Sequence, residues 1–342
     1  MKVCPNHFEG NLLPAAIGSL PHRDVGDALD LVREFLPEIP FWPQLPRRSP
    51  LEQMQRQYLP GLPGLICEDR PRISLKRGRE EAMRLYEAVI EEREWVCPPR
   101  ERAAGLYAFA EAEWDSARLV KGQILGPVSL GLSVVDEGDL PVMYSAEIMD
   151  WVVNHLALAA RWQQRFLSQL DVPTLIFFDE PYMATYGSAH FPYSGESVRE
   201  ALRGVLEGLE GMTGVHCCGN TDWDLILDLD LDVVCFDAHN YGRQFCLHGD
   251  RIGSFLRSGG ILAWGIVPVN EDVSRVTAAG LVSDWRNMAG ELSSRIDVSL
   301  DHLARSSFLT PACGLGPANV ALADRALSLL REVSDRLRDE ML

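Results

Sequence analysis

The stretch Val215-His216-Cys217-Cys218-Gly219-Asn220-Thr221 ends a short apolar run in reactive side chains and passes through Gly219 into a helix start. An apolar β-type run that stops at polar residues and gives way to a helix is the repeating unit of a parallel α/β sheet. The same unit recurs on both sides of this stretch. Strands are predicted near residues 15, 41, 122, 176, 216, 235, 263 and 309, followed by segments with apolar residues at helical spacing. Eight strand–helix units predict an α/β fold of the (β/α)8 TIM-barrel type. An open, doubly wound sheet is the alternative, and the lack of a GxGxxG or Walker run weakens any nucleotide-binding version of it.

The predicted helices cover about 24–36, 80–94, 100–113, 145–170, 198–209, 221–229, 246–257 and 282–295, with a last one starting at Asn319. Residues 43–78 are rich in Pro and Gly but keep apolar residues throughout, so they read as an excursion or hairpin rather than a linker. The expected organisation is therefore a single barrel domain over residues 1–342.

The net charge of −17 argues against a broad surface for nucleic acid or anionic lipid. No apolar run is long enough to span a bilayer. The segment Met1-Lys2-Val3-Cys4-Pro5-Asn6-His7 lacks the apolar core of a signal peptide, so a cytoplasmic location is expected. Eight cysteines in 342 residues do not form the dense framework of a small secreted domain. Cys67 and Cys235 lie in apolar runs and read as buried thiols.

A barrel builds its site at the C-terminal ends of its strands. Ser19, Gln44, Gln123, Asp179, Glu180, His216, Cys218, Asp237 and Cys313 all fall near predicted strand ends. Residues two apart on a strand face the same side, so His216 and Cys218 can converge while Cys217 points away. Cys313, before Gly314-Leu315-Gly316-Pro317, offers a second thiol. Two thiolates and an imidazole suit zinc and leave a fourth position, for which Asp237 and His239 are candidates. The competing reading is a buried cysteine beside a core histidine. Thiolate ligands make such a site better suited to activating a thiol than to hydrolysing a peptide bond. Asp179 and Ser19 equally fit a turn and a helix start.

Five stretches together resemble the catalytic domain of cobalamin-independent methionine synthase and its relatives in the uroporphyrinogen decarboxylase-like superfamily, corrinoid-dependent methyltransferases among them. They are Ile17-Gly18-Ser19-Leu20-Pro21, Gly122-Gln123-Ile124-Leu125-Gly126-Pro127, Asp179-Glu180-Pro181, His216-Cys217-Cys218-Gly219-Asn220-Thr221 and Pro311-Ala312-Cys313-Gly314-Leu315. The resemblance implies a barrel that binds Zn2+ through His216, Cys218 and Cys313, with Asp237 where those enzymes have a glutamate ligand. It implies that Asp179 binds the amino group of a homocysteine-like thiol, with Glu180 beside it, and that Gly18 and Ser19 bind its carboxylate. The implied reaction is methyl transfer to the zinc-activated thiol, giving methionine.

Two departures bear on the methyl donor. The chain is too short for the additional N-terminal barrel that helps full-length relatives bind methyl-folate. The segment Ala263-Trp264-Gly265-Ile266-Val267-Pro268 also lacks the histidine expected of a general acid. A folate nitrogen must be protonated to leave, whereas cobalt(I) need not be. The expected donor is therefore methylcobalamin or a corrinoid protein. The alternatives are a uroporphyrinogen decarboxylase-like enzyme, which uses no metal, and a non-catalytic metal- or corrinoid-binding protein.

Overall fold

Thr174-Leu175-Ile176-Phe177-Phe178-Asp179 is β-branched and aromatic almost throughout, and it forms a strand buried along its whole length. Burial on both faces is the mark of a parallel sheet covered by helices. In this computed structural model, which describes residues 8–67, 69–91, 97–189, 191 and 193–342, the sheet is assembled from seven such strands.

In chain order the strands are β1 (Leu13–Pro14), β2 (Leu65–Cys67), β3 (Arg72–Ile73), β4 (Val120–Leu125), β5 (Val135–Asp136), β6 (Thr174–Asp179), β7 (Met212–Cys217), β8 (Val233–Phe236), β9 (Ile261–Val267) and β10 (Ser307–Pro311). The main sheet runs β1-β10-β9-β8-β7-β6-β4, with every neighbouring pair parallel. It curls into a half-barrel with helices packed on its outer face. The excursion contributes the antiparallel pair β2–β3, and β5 joins β3 to make a separate three-stranded sheet.

The expected strand near residue 41 is the point of departure. Residues 39–44 form no named strand; they make single parallel bridges, Phe41 to Lys121 and Gln44 to Ser19. The reason is chemical: Pro40 and Pro43 have no N–H to give a ladder. The expected strand over 12–20 is likewise reduced to Leu13–Pro14, though Ala15 N still donates to Leu309 O at 2.9 Å.

The long helix expected over 145–170 is Ala146–Ser168, and the last one is Val320–Met341, capped by Asn319. The helix expected over 80–94 begins earlier and is Leu75–Ile90; residues 92–94 and 1–7 lie outside the described residues. Four helices were not foreseen: Met54–Gln57 in the excursion, Pro127–Ser133 after β4, Ala238–Phe245 after β8 and Leu300–Arg305 before β10. Among the described residues no helix is long and apolar enough to cross a membrane.

Two apolar clusters divide the interior. The larger lies between sheet and helices. The smaller occupies the concave face and takes alternate residues from the strands: Leu13 and Ala15, Leu175 and Phe177, Val233 and Cys235, Ile261 and Ala263. Continuing each alternation toward the strand's C-terminal end brings in Asp179 after Phe177, His216 in register with Asp179, and Thr310 after Phe308. The concave face thus turns from apolar to polar along the strands.

Candidate metal centre

His216 stands on the last turn of the β7 alternation, Cys218 just past that strand, and Cys313 just past β10. One ligand atom from each of the three lies within 4.8 Å of the others. His216 is buried, and both thiols are half-buried. The strand period separates the adjacent cysteines: Cys217 belongs to the cluster under the helices, and its Sγ donates to Gly219 O at 3.5 Å. Burial pushes the Cys217 thiol up to about 12, as expected of an inert structural cysteine.

The imidazole is held from behind by a residue that sequence reasoning took for core. His216 Nδ1 lies 3.2 Å from Cys235 Sγ, which in turn lies 3.7 Å from Thr310 Oγ1. His216 Nε2 is buried with no hydrogen-bond partner. Burial alone would lower the imidazolium, but Cys235, Cys218 and Cys313 hold it well above its ordinary value. The neighbouring Cys313 thiol and His216 imidazole hold the Cys218 thiol far below its usual range. The contact with Cys218, together with burial, pushes Cys313 up. An orphaned buried imidazole nitrogen facing two thiols, one already favoured as thiolate, is the donor set of a zinc site. The residues present therefore fit that metal.

Asp237 lies outside this group. Its Oδ1 accepts from Asn240 N at 2.9 Å and its Oδ2 from Asn240 Nδ2 at 2.7 Å, capping the helix Ala238–Phe245. His239 follows it on the same helix and is exposed. A second grouping, Asp222, Asp224 and His248, is a more exposed one in which His248 Nδ1 pairs with Asp224 at 2.7 Å.

Asp179 is buried, and its Oδ1 has no hydrogen-bond partner. Desolvation raises its carboxyl to about 6, against the pull of His216 and Lys121. Glu180 turns the other way. It accepts from Val128 N at 2.9 Å and Ser129 N at 2.8 Å, satisfying the N-terminus of the helix Pro127–Ser133. Gly126 is required for that approach, because a Cβ there would sit 2.2 Å from Glu180 Oε1. Burial raises Glu180 to about 7.

Gly18 has φ +149°, and a Cβ on it would meet Gln123 Cδ at 2.5 Å. Ser19 Oγ accepts from Gly316 N at 3.1 Å, and Ser19 O accepts from Leu315 N at 2.9 Å. The segment after β1 is thereby tied to the loop that follows Cys313. Gln123 Nε2 donates to Trp42 O at 3.0 Å, and Lys121, buried on the same face, donates to Ile17 O at 2.5 Å. Lys121 carried no signal in the sequence beyond its place in a strand. A surface cavity of about 1110 Å3, lined by Arg161, Arg165, Glu200 and Arg203, includes none of these residues.

No protein-family model matches the chain, and no curated protein matches it. Among solved structures it resembles a B12-independent methionine synthase from Shewanella sp. W3-18-1 in complex with selenomethionine. The TM-score is 0.61 at 16% identity, over 96% of this chain and 98% of that one. A methyltransferase from Methanosarcina mazei matches at a TM-score of 0.43 and 14% identity, over 68% of this chain and 65% of that one, which is too low to carry an argument. At 16% identity the first match shows a shared fold: this chain has the α/β fold of that methionine synthase along nearly its whole length.

Proposed function

We propose that the chain is a zinc-dependent thiol S-methyltransferase that takes a homocysteine-like acceptor to methionine. The observation that carries this reading is the convergence of His216, Cys218 and Cys313 at the C-terminal ends of β7 and β10, with His216 Nε2 buried and unpartnered. His216, Cys218 and Cys313 would hold the metal, with Asp237 as the fourth-ligand candidate if it leaves its helix-capping role. Zinc bound there supplies the positive charge that keeps a substrate thiol deprotonated at neutral pH.

The remaining residues bind and orient the acceptor. Asp179, buried with a free carboxylate oxygen, suits an ammonium group. Gly18 and Ser19, in the segment after β1 beside the Cys313 loop, suit the carboxylate. Glu180 holds the helix Pro127–Ser133 against β6 and acts on the site from behind. The Shewanella methionine synthase was solved with selenomethionine, an amino acid of the product's shape, which supports the choice of acceptor. Methyl transfer forms a carbon–sulfur bond as the bond from methyl to donor breaks, and the electron pair stays with the donor.

The donor in this reading is a methyl-corrinoid, free or protein-bound. Residues 263–268, at the end of β9, include no titratable side chain to protonate a leaving nitrogen. A complete (β/α)8 barrel is also part of the reading. It is supported by the bridges from Phe41 to Lys121 on β4 and from Gln44 to Ser19, which link the two edges of the half-barrel. A reducing, cytoplasmic setting fits the free state of every described cysteine. The test is an assay of zinc-loaded protein with homocysteine and either methylcobalamin or methyl-folate. Methionine formed with the corrinoid is the expected result. Turnover with methyl-folate alone refutes the donor, and no turnover with either refutes the transfer.

A further inference from the structure

Lys121 is fully buried, on the concave face of β4. Among the described residues it forms no salt bridge. Its ammonium donates to Ile17 O at 2.5 Å and to Gln123 Oε1 at 3.3 Å, and stands 4.5 Å from the centroid of the Phe177 ring. Burial pushes it down to about 8. The Asp179 carboxylate acts on it through space, but among the described residues no carboxylate lies within salt-bridge distance, and an ammonium without that contact is a poor way to fill a core, since an apolar side chain of similar length avoids the desolvation cost.

What the ammonium holds is the segment that follows β1. Ile17 O is the carbonyl immediately before Gly18 and Ser19. Gln123, the second acceptor, lies against Gly18 and reaches Trp42 O through its Nε2. Gly18 O accepts from Gln44 N at 2.9 Å, which closes a ring of contacts around the Gly18–Ser19 turn. Ser19 then contacts Gly316 in the loop after Cys313. An ammonium has three donors, and two of them have protein acceptors here.

We propose that Lys121 is a positioning residue for the acceptor's carboxylate. It clamps Ile17 O and Gln123 so that the Gly18–Ser19 backbone is preformed to receive that group, and it gives the floor of the site the positive charge an entering carboxylate requires. This rests on the reading of the acceptor as an amino-acid thiol.

The experiment is calorimetric titration of the zinc-loaded protein with homocysteine and with 3-aminopropane-1-thiol, which lacks only the carboxylate. Wild type, Lys121→Met and Lys121→Gln are compared, with zinc content and circular dichroism recorded for each. In Lys121→Met the Kd for homocysteine is expected to rise at least ~10-fold while that for the decarboxylated thiol stays within ~2-fold, the loss of one charge-assisted contact. Lys121→Gln, which keeps a donor without the charge, is expected to fall between. Equal changes for both thiols, or none, overturn the role of Lys121. If Lys121→Met does not fold, Lys121→Gln carries the same comparison. If wild type binds neither thiol, the acceptor reading itself falls and this inference falls with it.

Discussion

At the scale of single residues, the division of labour between Cys217 and Cys218 follows from strand period. One faces the helices and the other the concave side, and that was legible in the sequence. Cys235 was not. A lone thiol in Val233-Val234-Cys235-Phe236 reads as core, and only the register His216↔Cys235 shows it behind the imidazole. Cross-strand register is set by tertiary structure, which a single sequence does not display. A residue that orients a metal-binding histidine through its other nitrogen typically contributes 10–100-fold to metal affinity. Cys235→Ala is therefore expected to lower zinc affinity by about 10- to 100-fold in a chelator competition, whereas Cys217→Ala leaves it unchanged. Equal affinities for the two variants would remove Cys235 from the site.

At the scale of elements, helices with repeated apolar spacing were legible, the short Ala104–Ala110 and Asp224–Leu227 among them, and helices set by one local contact were not. Ala238–Phe245 and Pro127–Ser133 are set by their N-terminal partners, Asp237 and Glu180, rather than by an extended apolar stripe. The strand near residue 41 failed because prolines interrupt it. The long helix Ala146–Ser168 carries a buried histidine, His155, whose Nε2 lies 2.5 Å from Tyr58 O in the excursion. Burial holds His155 down to about 4 against its ordinary 6.5. The folded state therefore keeps it neutral where the unfolded chain protonates it. Its contribution to stability is full above about pH 6.5 and is lost as pH falls toward 4. The loss has an upper bound on the order of 3 kcal/mol from the linkage of 1.36 kcal/mol per unit. Denaturant unfolding between pH 4 and 7 should show that decline in wild type and a shallower one in His155→Gln. Parallel slopes would assign the acid sensitivity elsewhere.

At the scale of the whole molecule, the order of strand and helix was legible because apolar runs and helical spacing alternate so regularly after residue 174. The curling of the sheet and the meeting of β7 with β10 at one end were inferred through the barrel, since Cys218 and Cys313 are far apart in the chain. That meeting places His216, Cys218 and Cys313 on one concave, polar rim. With a net charge of −17, binding of the proposed amino-acid acceptor would depend on local groups such as Lys121 rather than on the molecule's overall field.

The most direct test is zinc K-edge absorption of the purified protein, with and without homocysteine, beside Cys218→Ser and Cys313→Ser. The expected result is about one bound zinc per chain with two protein sulfurs and one imidazole, a third sulfur on adding homocysteine, and loss of zinc in both variants. Full zinc content in both variants, or a metal shell that homocysteine leaves unchanged, would contradict the assignment of His216, Cys218 and Cys313 as a thiol-activating site.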